Sequence, residues 1–129
     1  MAKRISIDTN EIDWLPAAEV FPGYQLEAED RDAGIFVRVL RRPSDGGGCW
    51  QCLLRFVPPS GKGIRITAVA QSDEEVFILD THRSGSYSCN PAGLRHGQTV
   101  TEETTALVHY HGDPDRILKA EVIELVGHS

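Results

Sequence analysis

The chain of 129 residues carries 19 acidic and 13 basic residues, a formal net charge of −6, and 40% of its residues are hydrophobic. This length and composition are typical of one globular domain with an ordinary core, and they exclude a disordered chain. We expect no nucleic-acid partner, because such binding draws on clustered Lys and Arg. We also expect no membrane partner, because no apolar run approaches the roughly 18 residues that a span needs.

Strand signals recur along the chain, and helical periodicity is nearly absent. Alternating apolar and polar residues predict strands over 34–42, 49–57, 63–71, 75–80, 84–90, 104–111 and 117–126. Gly- and Pro-rich stretches between them predict turns. Short strands at this spacing are typical of an all-β sandwich or barrel. We expect residues 1–14 to form an amino-terminal arm and residues 15–129 a single domain.

The three cysteines, Cys49, Cys52 and Cys89, are predicted to be reduced structural residues. The first residues of the chain lack the apolar stretch of a secretory signal, so we expect a cytoplasmic protein. The spacing of Cys49 and Cys52 is also that of a redox pair. However, residues three apart in a strand point to opposite faces, which argues against a working pair.

Two blocks between residues 63 and 97 carry the most information about function. The first, at 73–80, is Asp-Glu-Glu-Val-Phe-Ile-Leu-Asp, and the second, at 90–97, is Asn-Pro-Ala-Gly-Leu-Arg-His-Gly. The first resembles the acidic end of motif 1 of the cupin superfamily, and the second resembles its motif 2, Pro-x-Gly-x-x-His. The match is best to single-domain cupins such as the metal-binding domain of the ChrR anti-sigma factor and the acetylacetone-cleaving dioxygenases. The resemblance implies a double-stranded β-helix, the cupin jelly-roll barrel, and a homodimer.

The resemblance also implies a metal site, which this sequence only partly supplies. In the family, two histidines on one strand, a glutamate and a third histidine converge on a divalent ion. Carried over by position, Glu75 would be the carboxylate ligand and His96 the last imidazole. The two motif-1 histidines fall at Ala68 and Ala70, and a shorter spacing moves both positions on by one residue. Neither register supplies an imidazole, so we expect no tightly bound metal.

Two further histidines could repair the site. His109 and His111 lie two apart on the strand predicted over 104–111 and therefore share one face. If that face is the inner one, they would join Glu75 and His96 in a set of three imidazoles and one carboxylate for Fe, Mn, Ni or Zn. If it is the outer one, the core is filled from this strand by Ala106, Val108 and Tyr110. Alternation alone does not choose between the faces.

An inward position of Ala68 and Ala70 would leave a roomy, apolar barrel centre suited to a small organic ligand. The polar groups of that pocket would be Glu75, His96 and Gln71, together with Arg65 or Arg55 if the opposite register holds. Glu75 and His96 are the candidate acid and base. Asp73 and Glu74 are predicted to lie in a solvated turn. The alternative is a barrel filled by its own side chains, with Phe77, Trp50 or Tyr110 as the plug.

The sequence therefore leaves two hypotheses about function. In the first, the protein is a small-molecule-binding or sensory module that needs no cofactor. In the second, it is a metal-dependent cupin enzyme, similar to a dioxygenase and acting on a small dicarbonyl or phenolic compound. Its metal would be held by Glu75, His96, His109 and His111. The missing motif-1 histidines favour the first hypothesis, and the fold alone does not decide.

Overall fold

The computed structural model describes residues 6–26, 32–45, 48–80 and 85–125. These residues form nine strands and three short 3₁₀ turns. The strands are β1 (Leu15–Pro16), β2 (Gly34–Arg41), β3 (Trp50–Val57), β4 (Lys62–Val69), β5 (Glu74–Asp80), β6 (Tyr87–Asn90), β7 (Arg95–Val100), β8 (Thr104–Tyr110) and β9 (Arg116–Glu124). The turns span Thr9–Glu11, Ala17–Glu19 and Pro43–Asp45. Among the described residues, no helix reaches the length and apolarity that crossing a membrane requires.

The strands form two antiparallel sheets. The larger sheet has the order β1-β2-β3-β8-β5-β6, and the smaller has the order β7-β4-β9. In an antiparallel sheet successive side chains point to opposite faces, so each strand can give one face to a shared core. The prediction of an all-β fold is confirmed.

All seven predicted strands have counterparts, but β1 and β7 were not predicted. The strand β7 lies at the edge of the smaller sheet, and Val100 is its single buried residue. A polar edge strand has no alternation to detect, because so little of it is buried. It also contains Gly97, where an added Cβ would come within 2.9 Å of the carbonyl oxygen of Ile66. The close approach of β7 to β4 therefore requires glycine at this position.

The predicted ends of two strands and part of the predicted arm lie outside the described residues. These are the first residue of the strand over 84–90, the last residue of the strand over 117–126, and residues 1–5 of the arm. Within the described part of the arm, the ring of Trp14 lies under the guanidinium of Arg38 in β2, 4.4 Å from its carbon atom. The division of the chain at residue 15 stays a prediction.

The core lies between the inner faces of the two sheets. Its buried residues alternate along the strands, and they include Cys52, Leu54 and Phe56 of β3, Ile64, Ile66 and Ala68 of β4, and Ala106, Val108 and Tyr110 of β8. The three cysteines are free, and burial raises the pKa of the Cys52 thiol to about 12. Cys52 therefore packs as a small apolar residue.

The strand β8 settles which face carries its histidines. Val108 and Tyr110 are each 2% exposed and point into the core. His109 and His111 consequently lie on the outer face, where His109 is half-buried and His111 is exposed. Of the two orientations left open by the sequence, the structure has the outward one.

We predict that Val108→Ala and Leu107→Ala have unequal effects on stability. Removing two buried carbons from Val108 should lower the free energy of unfolding by about 2 kcal/mol, because the core cannot fully close the gap. Leu107→Ala, on the partly exposed outer face, should cost less than about 1 kcal/mol. Urea denaturation monitored by fluorescence measures both. A larger loss for Leu107→Ala would contradict the orientation of β8.

Candidate functional site

Three side chains from separate parts of the chain meet at one point between the sheets. Nε2 of His96 in β7 lies 2.9 Å from Oε1 of Glu74 in β5 and 2.9 Å from Oδ2 of Asp115, which precedes β9. The side chains of Glu74 and Asp115 are 2% and 8% exposed, and that of His96 is 25% exposed. Two buried carboxylates thus share one imidazole.

The alternation of β5 and its pairing with β6 position Glu74. Glu74 lies opposite Asn90 in the register of these two strands. The amide Nδ2 of Asn90 donates a hydrogen bond of 2.9 Å to Oε1 of Glu74. One residue before Glu74, Oδ1 of Asp73 accepts a hydrogen bond of 2.8 Å from the backbone N–H of Ala92. The Asn-Pro-Ala-Gly turn after β6 is thereby held against the start of β5.

Asp115 is positioned by the loop between β4 and β5. Nε2 of Gln71 donates to the backbone carbonyl of Pro114 at 2.6 Å, and Oγ of Ser72 donates to the carbonyl of Asp113 at 2.9 Å. Gln71 therefore fixes the turn that carries Asp115. It does not line the cavity, contrary to the prediction from the sequence.

The close carboxylates change the protonation of the cluster. The contact with Asp115, followed by that with Glu74, raises the pKa of His96 to about 10. Burial raises the pKa of Asp115 to about 6. In the protein without a bound ion, a protonated His96 therefore balances one of the two carboxylates at neutral pH.

The short contacts of His96 are not well-directed hydrogen bonds. Its Nε2 is buried and meets neither carboxylate oxygen with hydrogen-bond geometry, and Oδ1 of Asp115 is also buried without a partner. Two ligands about 2.1 Å from a metal ion and at right angles to each other stand about 3.0 Å apart. The 2.9 Å separations match that arrangement. The three donors, whose ligand atoms all lie within 4.8 Å of one another, form a candidate site for a divalent cation.

The cluster forms part of the wall of a cavity of about 690 Å³ between the two sheets. Its wall combines the apolar inner faces with four aromatic rings, those of Phe21, Tyr24, Phe56 and Tyr110. The strands β6 and β7, which are the outermost strands at one edge of each sheet, both contribute lining residues. Of the three side chains expected as a plug, Tyr110 lines this space, whereas Phe77 is exposed on the outer face and Trp50 does not line it.

Ala68 and His96 line this cavity together. They lie opposite each other in the register of β4 and β7. The methyl group of Ala68 leaves space beside the imidazole that a larger side chain would fill. Ala70 is also buried, but it does not line the cavity.

The prediction that Glu75 faces His96 is wrong. Glu75 points to the outer face, where its Oε1 accepts a hydrogen bond of 3.0 Å from the hydroxyl of Tyr87 and its Oε2 lies 3.7 Å from Nε2 of His111. Its neighbour Glu74 takes the inner position and is not in a solvated turn. The sequence did not distinguish them, because β5 carries apolar side chains on both faces.

His109 and His111 do not join His96, so the predicted set of three imidazoles and one carboxylate is wrong. Their rings lie 4.5 Å apart on the outer face, and Nδ1 of His109 contacts Nε2 of Gln51 at 2.9 Å. Burial and the neighbouring His111 lower the pKa of His109.

Sequence reasoning missed Glu74 and Asp115. A signal for Glu74 was present, because the shorter motif spacing counted back from Glu74 places the two missing histidines at Ala68 and Ala70, both buried. Asp115 follows a Gly-Asp-Pro turn and lies far along the chain from the other two residues. Its role depends on the closure of the two sheets, which no local pattern reveals.

Comparison with known proteins supports the fold. No protein-family model matches the chain, and no curated protein matches it. Its structure is similar to an RmlC-like cupin protein of Ralstonia eutropha JMP134, with 18% identity and a TM-score of 0.60 over 93% of this chain and 80% of that one. It is also similar to a protein of unknown function with a cupin-like fold from the same organism, with 15% identity and a TM-score of 0.59 over 90% of this chain and 77% of that one.

The predicted cupin jelly-roll fold is therefore confirmed. The closer resemblance to the ChrR domain and the acetylacetone-cleaving dioxygenases stays a prediction. The expected homodimer and cytoplasmic location also stay predictions.

We predict that Ala68→His strengthens divalent-metal binding and that Val69→His does not. The imidazole at 68 would enter the cavity beside His96 and add a donor to the cluster, which should tighten Zn²⁺ binding at least about tenfold. Val69 alternates with Ala68 and points away from the cavity. Zn²⁺ titration calorimetry on both folded variants measures the difference. Equal affinities would contradict the inward orientation of residue 68.

Proposed function

We propose that this protein binds a divalent metal ion through Glu74, His96 and Asp115 and takes a small organic molecule into the adjoining cavity. The observation that carries the proposal is the buried Nε2 of His96, which lies 2.9 Å from two carboxylate oxygens without a well-directed hydrogen bond to either. Glu74 and Asp115 supply two donors that the sequence did not reveal, and this reverses the preference for a metal-free protein.

The donor set indicates which ions to expect. One imidazole and two carboxylates suit Mn²⁺, Fe²⁺ and Zn²⁺, since hard oxygen donors and a borderline nitrogen donor are combined. When bound, such an ion would act as a Lewis acid toward an oxygen or nitrogen atom of the molecule in the cavity. The type of reaction, or its absence, depends on that molecule.

The residues around the donors would orient them and restrict water. Asn90 holds Glu74 through its amide hydrogen bond, and Gln71 and Ser72 hold the turn that carries Asp115. Such contacts to metal ligands fix their orientation and contribute to metal affinity. The apolar inner faces of the sheets limit the number of water molecules near the cluster.

A metal-free small-molecule-binding protein is the second candidate. It is favoured by the cavity volume of about 690 Å³, which suits a small ligand. It is also favoured by Ala68, which stands beside His96 and offers no donor to an ion. In this case the imidazole and the two carboxylates would anchor the polar end of the ligand.

Metal content distinguishes the two candidates. The protein would be purified without a His tag, dialysed against a weak chelator, reconstituted with Mn²⁺, Fe²⁺ or Zn²⁺ in turn, and measured by plasma mass spectrometry. We expect about one equivalent of one ion per chain. Glu74→Gln and Asp115→Asn should each weaken its binding at least about tenfold, because each removes a charged donor.

The matched control is Glu103→Gln. Glu103 is an exposed carboxylate that pairs with Arg55 outside the cavity, so its loss should leave the metal content unchanged. Less than about a tenth of an equivalent in the wild-type protein with every ion would reject the metal site and leave the metal-free candidate.

A further inference from the structure

Negative charges outnumber positive charges along the cavity wall. Of the residues that the structure describes, three acidic ones line the cavity, the buried Glu74 and Asp115 and the exposed Glu102, and His96 is the one histidine. Among the described residues, neither Lys nor Arg lines it. Without a bound ion, the formal charge of these residues is negative whether His96 is neutral or protonated.

The arginines of β3 and β4 pair with glutamates and do not line the cavity. Arg55 pairs with Glu103 at 2.6 Å, and Arg65 pairs with Glu121 at 3.4 Å. A ligand carboxylate or phosphate is usually held by such guanidinium groups. An anionic ligand would therefore enter a negative cavity without a side-chain cation to pair with, apart from the imidazole at its wall.

Two further features favour a positively charged ligand. The faces of aromatic rings attract cations, and four aromatic side chains, those of Phe21, Tyr24, Phe56 and Tyr110, line the cavity. Phe21 and Tyr110 pack edge to face with ring centroids 6.0 Å apart, so this part of the wall is built from fixed rings. In addition, Oδ1 of Asp115 is a buried acceptor without a donor, and such an atom gains free energy when a ligand N–H reaches it.

We propose that the cavity binds small organic cations, an ammonium or amidinium group on an aromatic or aliphatic body, and discriminates against carboxylates and phosphates. This inference rests on the proposed function for the place where the ligand binds, and it applies to the protein without a bound ion. The charged group would lie toward Glu102 and the cluster, with the apolar body against the aromatic rings. The net charge of −6 would add long-range attraction for the cation.

Three probes of nearly equal size and different charge test the proposal. These are 2-phenylethylamine, 2-phenylethanol and phenylacetate, titrated into chelator-treated and metal-loaded protein and followed by calorimetry and ligand-observed NMR. In the chelator-treated protein the amine should bind at least about tenfold more tightly than phenylacetate, with the alcohol between them. The difference should shrink as salt is raised, because ions screen the part of the attraction that reaches through solvent.

Adjacent glutamates provide a matched pair of variants. Glu102→Gln should lower the preference for the amine over phenylacetate about threefold, because it removes one of the lining charges. Glu103→Gln removes a negative charge from the next residue, whose carboxylate pairs with Arg55 outside the cavity. That variant should leave the preference unchanged.

The proposal is overturned if phenylacetate binds the chelator-treated protein as tightly as the amine, if none of the three probes binds, or if both variants change the preference equally. Metal content measured on the same samples distinguishes a failure of this proposal from a failure of the proposed metal site. A preference for the amine in protein that takes up less than about a tenth of an equivalent of every ion on reconstitution would reject the metal site alone. A full equivalent of metal without that preference would reject the organic-cation proposal alone.

Discussion

A buried carboxylate on β5 is the feature on which the rest of the site depends. Glu74 is 1% exposed, and removing an ionised carboxylate from water costs several kcal/mol unless other groups compensate. Asn90 and His96 supply that compensation from β6 and β7. Because β6 belongs to the larger sheet and β7 to the smaller one, Glu74 links the two sheets at the wall of the cavity. Its position also requires Glu75 to point outward.

The same arrangement explains why the cluster can respond to an ion or a ligand. Asp115 adds a second buried carboxylate, and the loop that contains Gln71 and Ser72 holds it in place. One protonated imidazole cannot neutralise both carboxylates. In addition, two buried atoms of the cluster, Nε2 of His96 and Oδ1 of Asp115, remain without hydrogen bonds. A group that brings positive charge or donors to this point would therefore be stabilised there. The aromatic lining and the absence of Lys and Arg from the described wall extend that preference into the cavity.

Much of the fold could be predicted from the sequence, and the site could be predicted only in part. The apolar alternation of the buried strands and the turn residues between them indicated the all-β class, and the Pro-x-Gly-x-x-His block placed His96 correctly. The face of Glu74 was ambiguous, because Val76 and Phe77 are both apolar although only Val76 lines the cavity. The edge strand β7 is mostly exposed, and Asp115 meets His96 only after the two sheets close. Register and long-range closure are not encoded in local patterns.

The central claim is that Glu74, and not Glu75, shares the cavity with His96. The most direct test measures the NMR signals of the His96 ring in two variants at adjacent residues, Glu74→Gln and Glu75→Gln. Each variant replaces a carboxylate by an amide of nearly the same size. The account predicts that Glu74→Gln shifts the ring signals of His96 strongly and that Glu75→Gln leaves them in place while shifting those of His111. A His96 signal that moves with Glu75→Gln and not with Glu74→Gln would contradict the account.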